Sequence, residues 1–247
     1  MHGAMLFPTS AWALEQNDRR IAFASTPDTA MFRQTGAFTV TRHRHPAWKV
    51  VLPLDGQVVV ASDRGRPTVT AAGMIVPPQL THTCAATSDF VALFVDPWLL
   101  RQHTGLTPLT AAQVRRMLAA LDPDDVHGPN LSAAHAALIT LVGAGSTLDS
   151  RVTYAVQAAT TGAQAIGSIA TEVGLSSPRL RALVHTSVGI PLARLRLWAR
   201  LGAALAALPG QSTAEAAATA GFADQPHLAR TARSLVGRTI NSLRQAN

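Results

Sequence analysis

Three histidines and a lysine stand at spacings that can do chemistry. His43 and His45 are two residues apart in Arg42-His43-Arg44-His45. On an extended strand, residues at that spacing point to one face. Two imidazoles on one face are ligand geometry for a divalent metal. His82 follows Pro77-Pro78 and can supply a third nitrogen, with Cys84 on the same strand face. Lys49 lies four residues after His45, and a cation beside a cation site is unfavourable. Two other readings therefore stand beside the metal. The histidines can be hydrogen-bonded at the mouth of a sheet, or they can bind an anionic effector together with Lys49. His103, His127 and His135 have no partner pattern and read as ordinary surface or satisfied groups.

A second set is cationic. Lys49 is the only lysine among 21 basic residues. Residues 1–163 are nearly balanced, with 12 basic and 11 acidic groups. Residues 164–247 carry nine arginines against Glu172, Glu215 and Asp224. A basic final third points to an anionic partner, and nucleic acid is the commonest. A solvated basic surface is the alternative.

That final third also contains a repeat. One copy runs from Ile169 through Gly174-Leu175-Ser176-Ser177-Pro178 to Gly189. The other runs from Ala216 through Gly221-Phe222-Ala223-Asp224-Gln225-Pro226 to Gly237. Each has a small-residue helix, a glycine where positive φ ends it, an apolar plug (Leu175, Phe222), a polar cap with proline and a second helix. Ser177 reads as the cap of the first recognition helix, and Ser212 with Glu215 as a capping box. Between the copies, Leu195, Trp198, Leu201, Leu205 and Leu208 form one helical stripe over Pro191 to Leu208. Such a rod is roughly 27 Å long. It can hold two readers against successive major grooves, about 34 Å apart.

The other elements follow from texture. Apolar runs at 37–41, 48–54, 58–62, 68–71, 74–76 and 90–95, punctuated by Gly36, Gly56, Gly65-Arg66-Pro67, Gly73 and Pro77-Pro78, predict an antiparallel sandwich or barrel. Thr110 to Leu121 and Leu131 to Val142 predict two helices. The expected fold is α+β with two domains: a β-barrel at residues 1–105, a helical connector at 106–148 and an all-α domain at 149–247; the apolar positions of the connector helix Thr110 to Leu121 need cover, from a second copy of the chain or from within it.

Residues 149–247 resemble the double helix-turn-helix domain of AraC/XylS transcriptional regulators. Gly174-Leu175-Ser176, Gly189-Ile190-Pro191, Arg200-Leu201, Gly221-Phe222-Ala223-Asp224-Gln225, His227-Leu228, Arg230-Thr231 and Gly237-x-Thr239 carry the resemblance. Departures are Ala232, Val236 and Ile240 in the packing positions and Ala182 in the first recognition helix. The histidine region resembles a cupin, with a His-x-His strand, a glycine turn and a later histidine. Many regulators of this family use such a barrel for an effector or for dimer contact. A cupin enzyme usually has Glu where this chain has Lys49.

The resemblance implies a sequence-specific regulator of double-stranded DNA, with RNA polymerase and a second copy of the chain as partners. Its effector is a small or anionic molecule, and no cofactor beyond a divalent metal is in view. In the second unit Gln225, His227 and Arg230 face base edges, because Gln can bond adenine and Arg guanine. In the first unit Arg179 and Arg181 do so, or touch phosphates, with Ser176 and Ser177 near phosphates. Arg233, Arg238 and Arg244 read as phosphate or solvent groups. Arg196 and Arg200 can face DNA, solvent or an internal ion pair. The rival classes are a metal-dependent cupin enzyme with a helical appendage and an architectural or RNA-binding protein. One tyrosine and no basic-aromatic interleaving disfavour RNA.

Composition narrows the classes further. The chain has 247 residues, 47% of them apolar, which is enough for a real core and excludes wholesale disorder. A single cysteine, Cys84, excludes an internal disulfide framework and fits a reducing cytoplasm. No apolar run reaches the roughly 20 residues of a membrane span, and no signal peptide is read.

Overall fold

A computed structural model describes residues 8–16, 19–62, 67–125, 128–162 and 164–244. His127, the Gly65-Arg66 turn and the Arg244 side chain lie outside the described residues. Among the described residues the N-terminal part holds eleven strands in two antiparallel sheets. One sheet has seven strands: β1 (Ser10–Gln16), β2 (Arg19–Ser25), β3 (Thr29–Gln34), β10 (Phe90–Val95), β5 (Trp48–Pro53), β8 (Gly73–Val76) and β11 (Thr107–Leu109), in that spatial order. The other has four: β4 (Phe38–His43), β9 (His82–Ala86), β6 (Val58–Ser62) and β7 (Val69–Ala71).

Both faces of the larger sheet are covered. In β5 every residue is buried. Trp48, Val50 and Leu52 belong to the apolar cluster beneath two helices, α1 (Ala111–Leu121) and α2 (Leu131–Val142). Val51 faces the interior between the sheets. Lys49 has the same parity as Val51, and the alternation of a strand sends it inward too. Continuous burial also explains why β5 reads as an unbroken apolar run.

Thr110 and Gln113 form a reciprocal capping box at the start of α1. A hydroxyl cap is worth about 1 kcal/mol. The apolar positions of α1, namely Val114, Met117 and Leu121, are covered by the chain's own sheet. The cover is close: a Cβ at Gly73 would lie 2.6 Å from Val114 Cγ2.

The C-terminal part is helical throughout. Its elements are α3 (Ser150–Thr161), α4 (Ile166–Glu172), α5 (Ser177–Val188), α6 (Leu192–Ala207), α7 (Thr213–Thr219), α8 (Gln225–Val236) and α9 (Ile240–Arg244). The stripe read from sequence is buried: Leu195, Trp198, Leu201, Leu205 and Leu208 are all under 9% exposed. It faces more than its own domain. Trp198 packs on Phe94 of β10, and the Trp12 indole donates to Leu205 O at 3.0 Å. One apolar cluster thus runs from the sheet interior into the helices. Among the described residues no helix is long and apolar enough to cross a membrane.

One buried carboxyl sets a pH dependence. Asp96 is 1% exposed, and among the described residues neither of its oxygens has a hydrogen-bond partner. Burial first, and the charge of Asp28 second, hold its pKa well above the ordinary 3.8. A carboxyl raised in the folded state weakens the fold as pH climbs past its unfolded value. Asp96→Asn is expected to raise the melting temperature at pH 7.5, and the gain should fade towards pH 4 in a thermal-denaturation series.

Candidate DNA interface and buried histidine cluster

Both repeats fold with the same local grammar. Gly174 and Gly221 end α4 and α7 at φ +68° and +75°. The next residues close the turn by donating back, Leu175 N to Ala170 O and Phe222 N to Ala217 O, each at 2.9 Å. The cap of α5 is Ser176, whose hydroxyl accepts from Arg179 N at 3.4 Å. Ser177 is the first helical residue, so the cap lies one position earlier than the sequence reading placed it. Proline tolerates either of the first two helical positions, so Pro178 alone does not set the register. Asp224 caps α8 by accepting from His227 N at 2.6 Å. Ser212 and Glu215 form the expected capping box on α7.

At the N-terminal end of α5, Ser176 and Arg179 are exposed, Ser177 is half-buried, and Arg181 is exposed one turn on. On α8, Gln225, Arg230 and Arg233 are exposed. His227 is half-buried: its ring stands edge-on to Phe222 at 5.2 Å, and Nδ1 accepts from Ala223 N at 3.5 Å. Its ring is committed to the turn between the helices. Ala232 and Ile240, two of the departures from the family pattern, are buried in the core.

Two arginines lie elsewhere than the sequence reading put them. Arg196 donates to Ala159 O at 2.9 Å and Gln164 O at 2.6 Å, closing the end of α3. Its internal partners are thus backbone carbonyls, and among the described residues no carboxylate pairs with it. Arg238 is half-buried and turned inward, where the sequence reading had it at phosphate or in solvent. It bonds Gln34 Oε1 and Ser242 O, and sits 5.5 Å over the Phe32 ring. Burial lowers its pKa only to about 10, so it stays charged at neutral pH.

Sequence reasoning missed Arg42. With Ala229, Arg230, Arg233 and Ser234 it lines a groove between β4 and α8. Strand alternation gave no signal for it: counted from Val40, Arg42 should point inward, and the register shift between Val40 and His43 leaves Thr41 and Arg42 both exposed.

The sheet and the second unit are stitched through backbone. Thr41 N and Thr41 Oγ1 donate to Gly237 O at 3.1 and 3.0 Å. Arg44 N donates to Ser234 O at 3.1 Å, and Arg194 reaches Arg44 O. This turn needs glycine twice over. Gly237 has φ +71°, and a Cβ there would lie 2.5 Å from Thr41 O and 2.7 Å from His43 Nδ1.

The three histidines meet at this junction. His43, His45 and His82 are 3%, 0% and 1% exposed, and their ring nitrogens lie within 4.8 Å of one another. His43 pairs with His82 across β4 and β9, beside a register shift between Val40 and His43. His45 lies just past the end of β4, so strand alternation does not align it with His43. The chain beyond the strand brings it to the cluster instead. Each Nδ1 contacts a backbone carbonyl: Thr41 O at 2.7 Å, Ala47 O at 2.7 Å and Leu80 O at 2.9 Å, respectively. A carbonyl only accepts, so each Nδ1 carries the proton and each Nε2 is a bare acceptor. Burial, with the nearby Lys49 charge adding to it, lowers His43 to about 2 and His82 to about 3, and also depresses His45. All three rings are neutral at physiological pH. The set fits a cation in chemistry, since it offers three nitrogen lone pairs, but Lys49 brings no carboxylate. Its Nζ lies 3.5 Å from His43 Nε2.

Lys49 also reaches a different space. An apolar cavity between the domains is lined by Phe32, Phe90, Phe94, Trp198 and Leu205, together with Lys49 and Arg238. The three histidines do not line it. It holds about 50 Å³ of open space. Among the described residues no carboxylate pairs with either cation. A buried and a half-buried cation in an apolar wall are expensive unless something anionic joins them.

Replacing Gly237 by alanine tests the junction. Gly237→Ala is expected to lower the melting temperature and to speed hydrogen exchange at the Thr41 and Arg44 amides. Gly189→Ala has a similar φ of +75° but open space around its Cβ. It should show only the left-handed backbone cost of roughly 1–2 kcal/mol.

A family profile described as "Helix-turn-helix domain" matches residues 169–246. No curated protein matches the chain. Three solved structures of ToxT from Vibrio cholerae share the fold. An apo variant has 10% identity and TM-score 0.61, covering 90% of this chain and 99% of that one. An unsaturated fatty acid complex has 10% identity and TM-score 0.55, covering 96% of each chain. A complex with (E)-4-(8-methylnaphthalen-1-yl)but-3-enoic acid has 9% identity and TM-score 0.57, covering 89% of this chain and 98% of that one.

Proposed function

We propose, from the premise that residues 169–246 form a helix-turn-helix domain of the AraC type, that this chain is a sequence-specific DNA-binding transcriptional regulator. One observation carries the reading. Two helix pairs with matching turns and caps stand at either end of one buried helix, and each presents arginines from an exposed recognition face. Gln225 and Arg230 read base edges in the second unit. Arg179 and Arg181 serve the first, with Ser176 and Ser177 near phosphates. Arg233 and Arg42 flank Arg230 as phosphate contacts, and His227 supports the turn behind them.

The function is a binding equilibrium. An effector shifts the molecule between states of different DNA affinity, by no more than its differential affinity for them. The cavity supports an anionic amphipath as that effector, because its wall is apolar and its two cations lack a counter-ion. A long-chain carboxylic acid has that chemistry; one of the ToxT structures holds an unsaturated fatty acid and another a naphthalenyl butenoic acid. The space is small, so such a ligand must part Trp198 and Arg238 from the sheet. Entry into the cavity thereby moves helices of the DNA-binding domain. A homodimer binding two half-sites and contact with RNA polymerase complete the proposal. Val114, Met117 and Leu121 of α1 are covered within the chain, so the dimer does not rest on these apolar positions.

Selection of genomic fragments by the purified protein is expected to return a motif with two half-boxes about one helical turn apart. Diffuse, salt-labile binding alone would overturn the regulator reading. Arg230→Ala should cost roughly 1–3 kcal/mol on that site and relax one base position. Equal weakening on random DNA would assign it to phosphate.

The effector is tested by calorimetry with oleate and the matching long-chain alcohol. Oleate should bind more tightly. Lys49→Met or Arg238→Met should each remove about 1.5–3 kcal/mol of that binding, the worth of a hydrogen bond to a charged group.

A further inference from the structure

The histidine cluster has no role in base reading or in the apolar cavity. His45 Nε2 and His82 Nε2 are buried and, among the described residues, accept no hydrogen bond. A buried polar atom left unpartnered costs about 1–3 kcal/mol. Here two such atoms and His43 Nε2 come from three rings gathered at one place. Their tautomers are all held by backbone carbonyls on the far nitrogen. Hydrogen bonds of that kind orient metal-ligating imidazoles and raise their basicity.

We propose that His43, His45 and His82 form a divalent transition-metal site at the hinge between the β-sheets and the second helix-turn-helix, and that its occupancy governs how α8 docks on β4.

The donor chemistry selects the ion class. Three neutral imidazoles with no oxygen ligand suit zinc, cobalt, nickel, copper or ferrous iron, and not magnesium or calcium. Metal–nitrogen bonds of about 2.0–2.1 Å need the three rings, whose ligand atoms now lie within 4.8 Å of one another, to draw closer together. The lack of a carboxylate and the complete burial suit a structural or sensing site better than a catalytic one.

The position supplies the consequence. Thr41 and Arg44, which hold Gly237 and Ser234, bracket His43 in the chain. The same carbonyl that orients the His43 ring, Thr41 O, lies 2.5 Å from where a Cβ at Gly237 would stand. An ion drawing His43 towards His82 and His45 fixes this segment, and with it the C-terminal end of α8. Lys49 is the competitor: its ammonium faces the same His43 Nε2 at 3.5 Å and repels an incoming cation. The site does not depend on the regulator reading, but the meaning of the hinge for DNA does.

The test uses the full chain, stripped by a chelator and titrated with Co(II) as the only probe. Wild type is expected to bind one equivalent, with the visible absorption bands of nitrogen-ligated Co(II), and to protect the Thr41, Arg44 and Gly237 amides from hydrogen exchange. His45→Gln should lose the equivalent and the bands, while the exposed His185→Gln keeps both. Lys49→Met should bind Co(II) at least about tenfold more tightly. It also guards against a His45→Gln variant that fails to fold. No uptake by wild type, or uptake unchanged in folded His45→Gln, overturns the site. Uptake without a change in exchange at Thr41 and Gly237 overturns the hinge. DNA selection on metal-free protein separates these failures from failure of the regulator reading, since a motif recovered there leaves that reading standing.

Discussion

The docking of the Gly237 turn onto β4 is the constraint on which the arrangement depends. A left-handed glycine lets the chain after α8 come within hydrogen-bonding distance of Thr41, and no side chain fits between them. The contact fixes where α8 ends relative to the sheet. It also places Arg42 beside Arg230 and Arg233 on one rim, sets Arg238 over Phe32 in the cavity, and brings the turn against His43. The DNA-facing groove, the apolar cavity and the histidine cluster are three sides of this one junction.

The interior of the junction is electrostatically unusual. Lys49 is buried and Arg238 half-buried in an apolar wall, with no carboxylate among the described residues to neutralise them. Three neutral histidines lie close by, held neutral chiefly by burial. Such an interior is costly for a chain that only needs to pack, because each unpaired polar group lowers stability by kilocalories. Ligands of opposite character relieve the two halves separately, an anion for the cations and a cation for the imidazole lone pairs. Lys49 touches both halves, so the two occupancies are coupled through it.

Legibility followed the range of the interactions involved. The strands β4 to β8 and β10 and the helices α1 and α2 were readable because Gly, Pro and Thr punctuation brackets short apolar runs. β1, β2 and β3 were not, since Ser10–Gln16, Arg19–Ser25 and Thr29–Gln34 mix charges into their alternation and no glycine or proline separates the first two. β9 was hidden because His82-Thr83-Cys84 is weakly apolar, although its inward positions are fully buried. The shift of the α5 cap from Ser177 to Ser176 is a local ambiguity, because either serine can cap ahead of Pro178.

By itself the sequence determined the repeat, its turns, its caps, the buried stripe of α6 and the exposed arginines of α8. Each rests on residues within a few positions of one another, so local backbone chemistry suffices. Only the tertiary structure decided which cations are buried and which histidines converge. Arg196 and Arg238 have the same local pattern as their solvated neighbours. Their partners, Ala159, Gln164, Gln34 and Phe32, lie tens to hundreds of residues away. His45 joins His43 and His82 through the path of the chain beyond β4 and not through strand alternation. A side chain's burial and charge environment belong to whatever the fold packs against it, and no spacing along the chain encodes that.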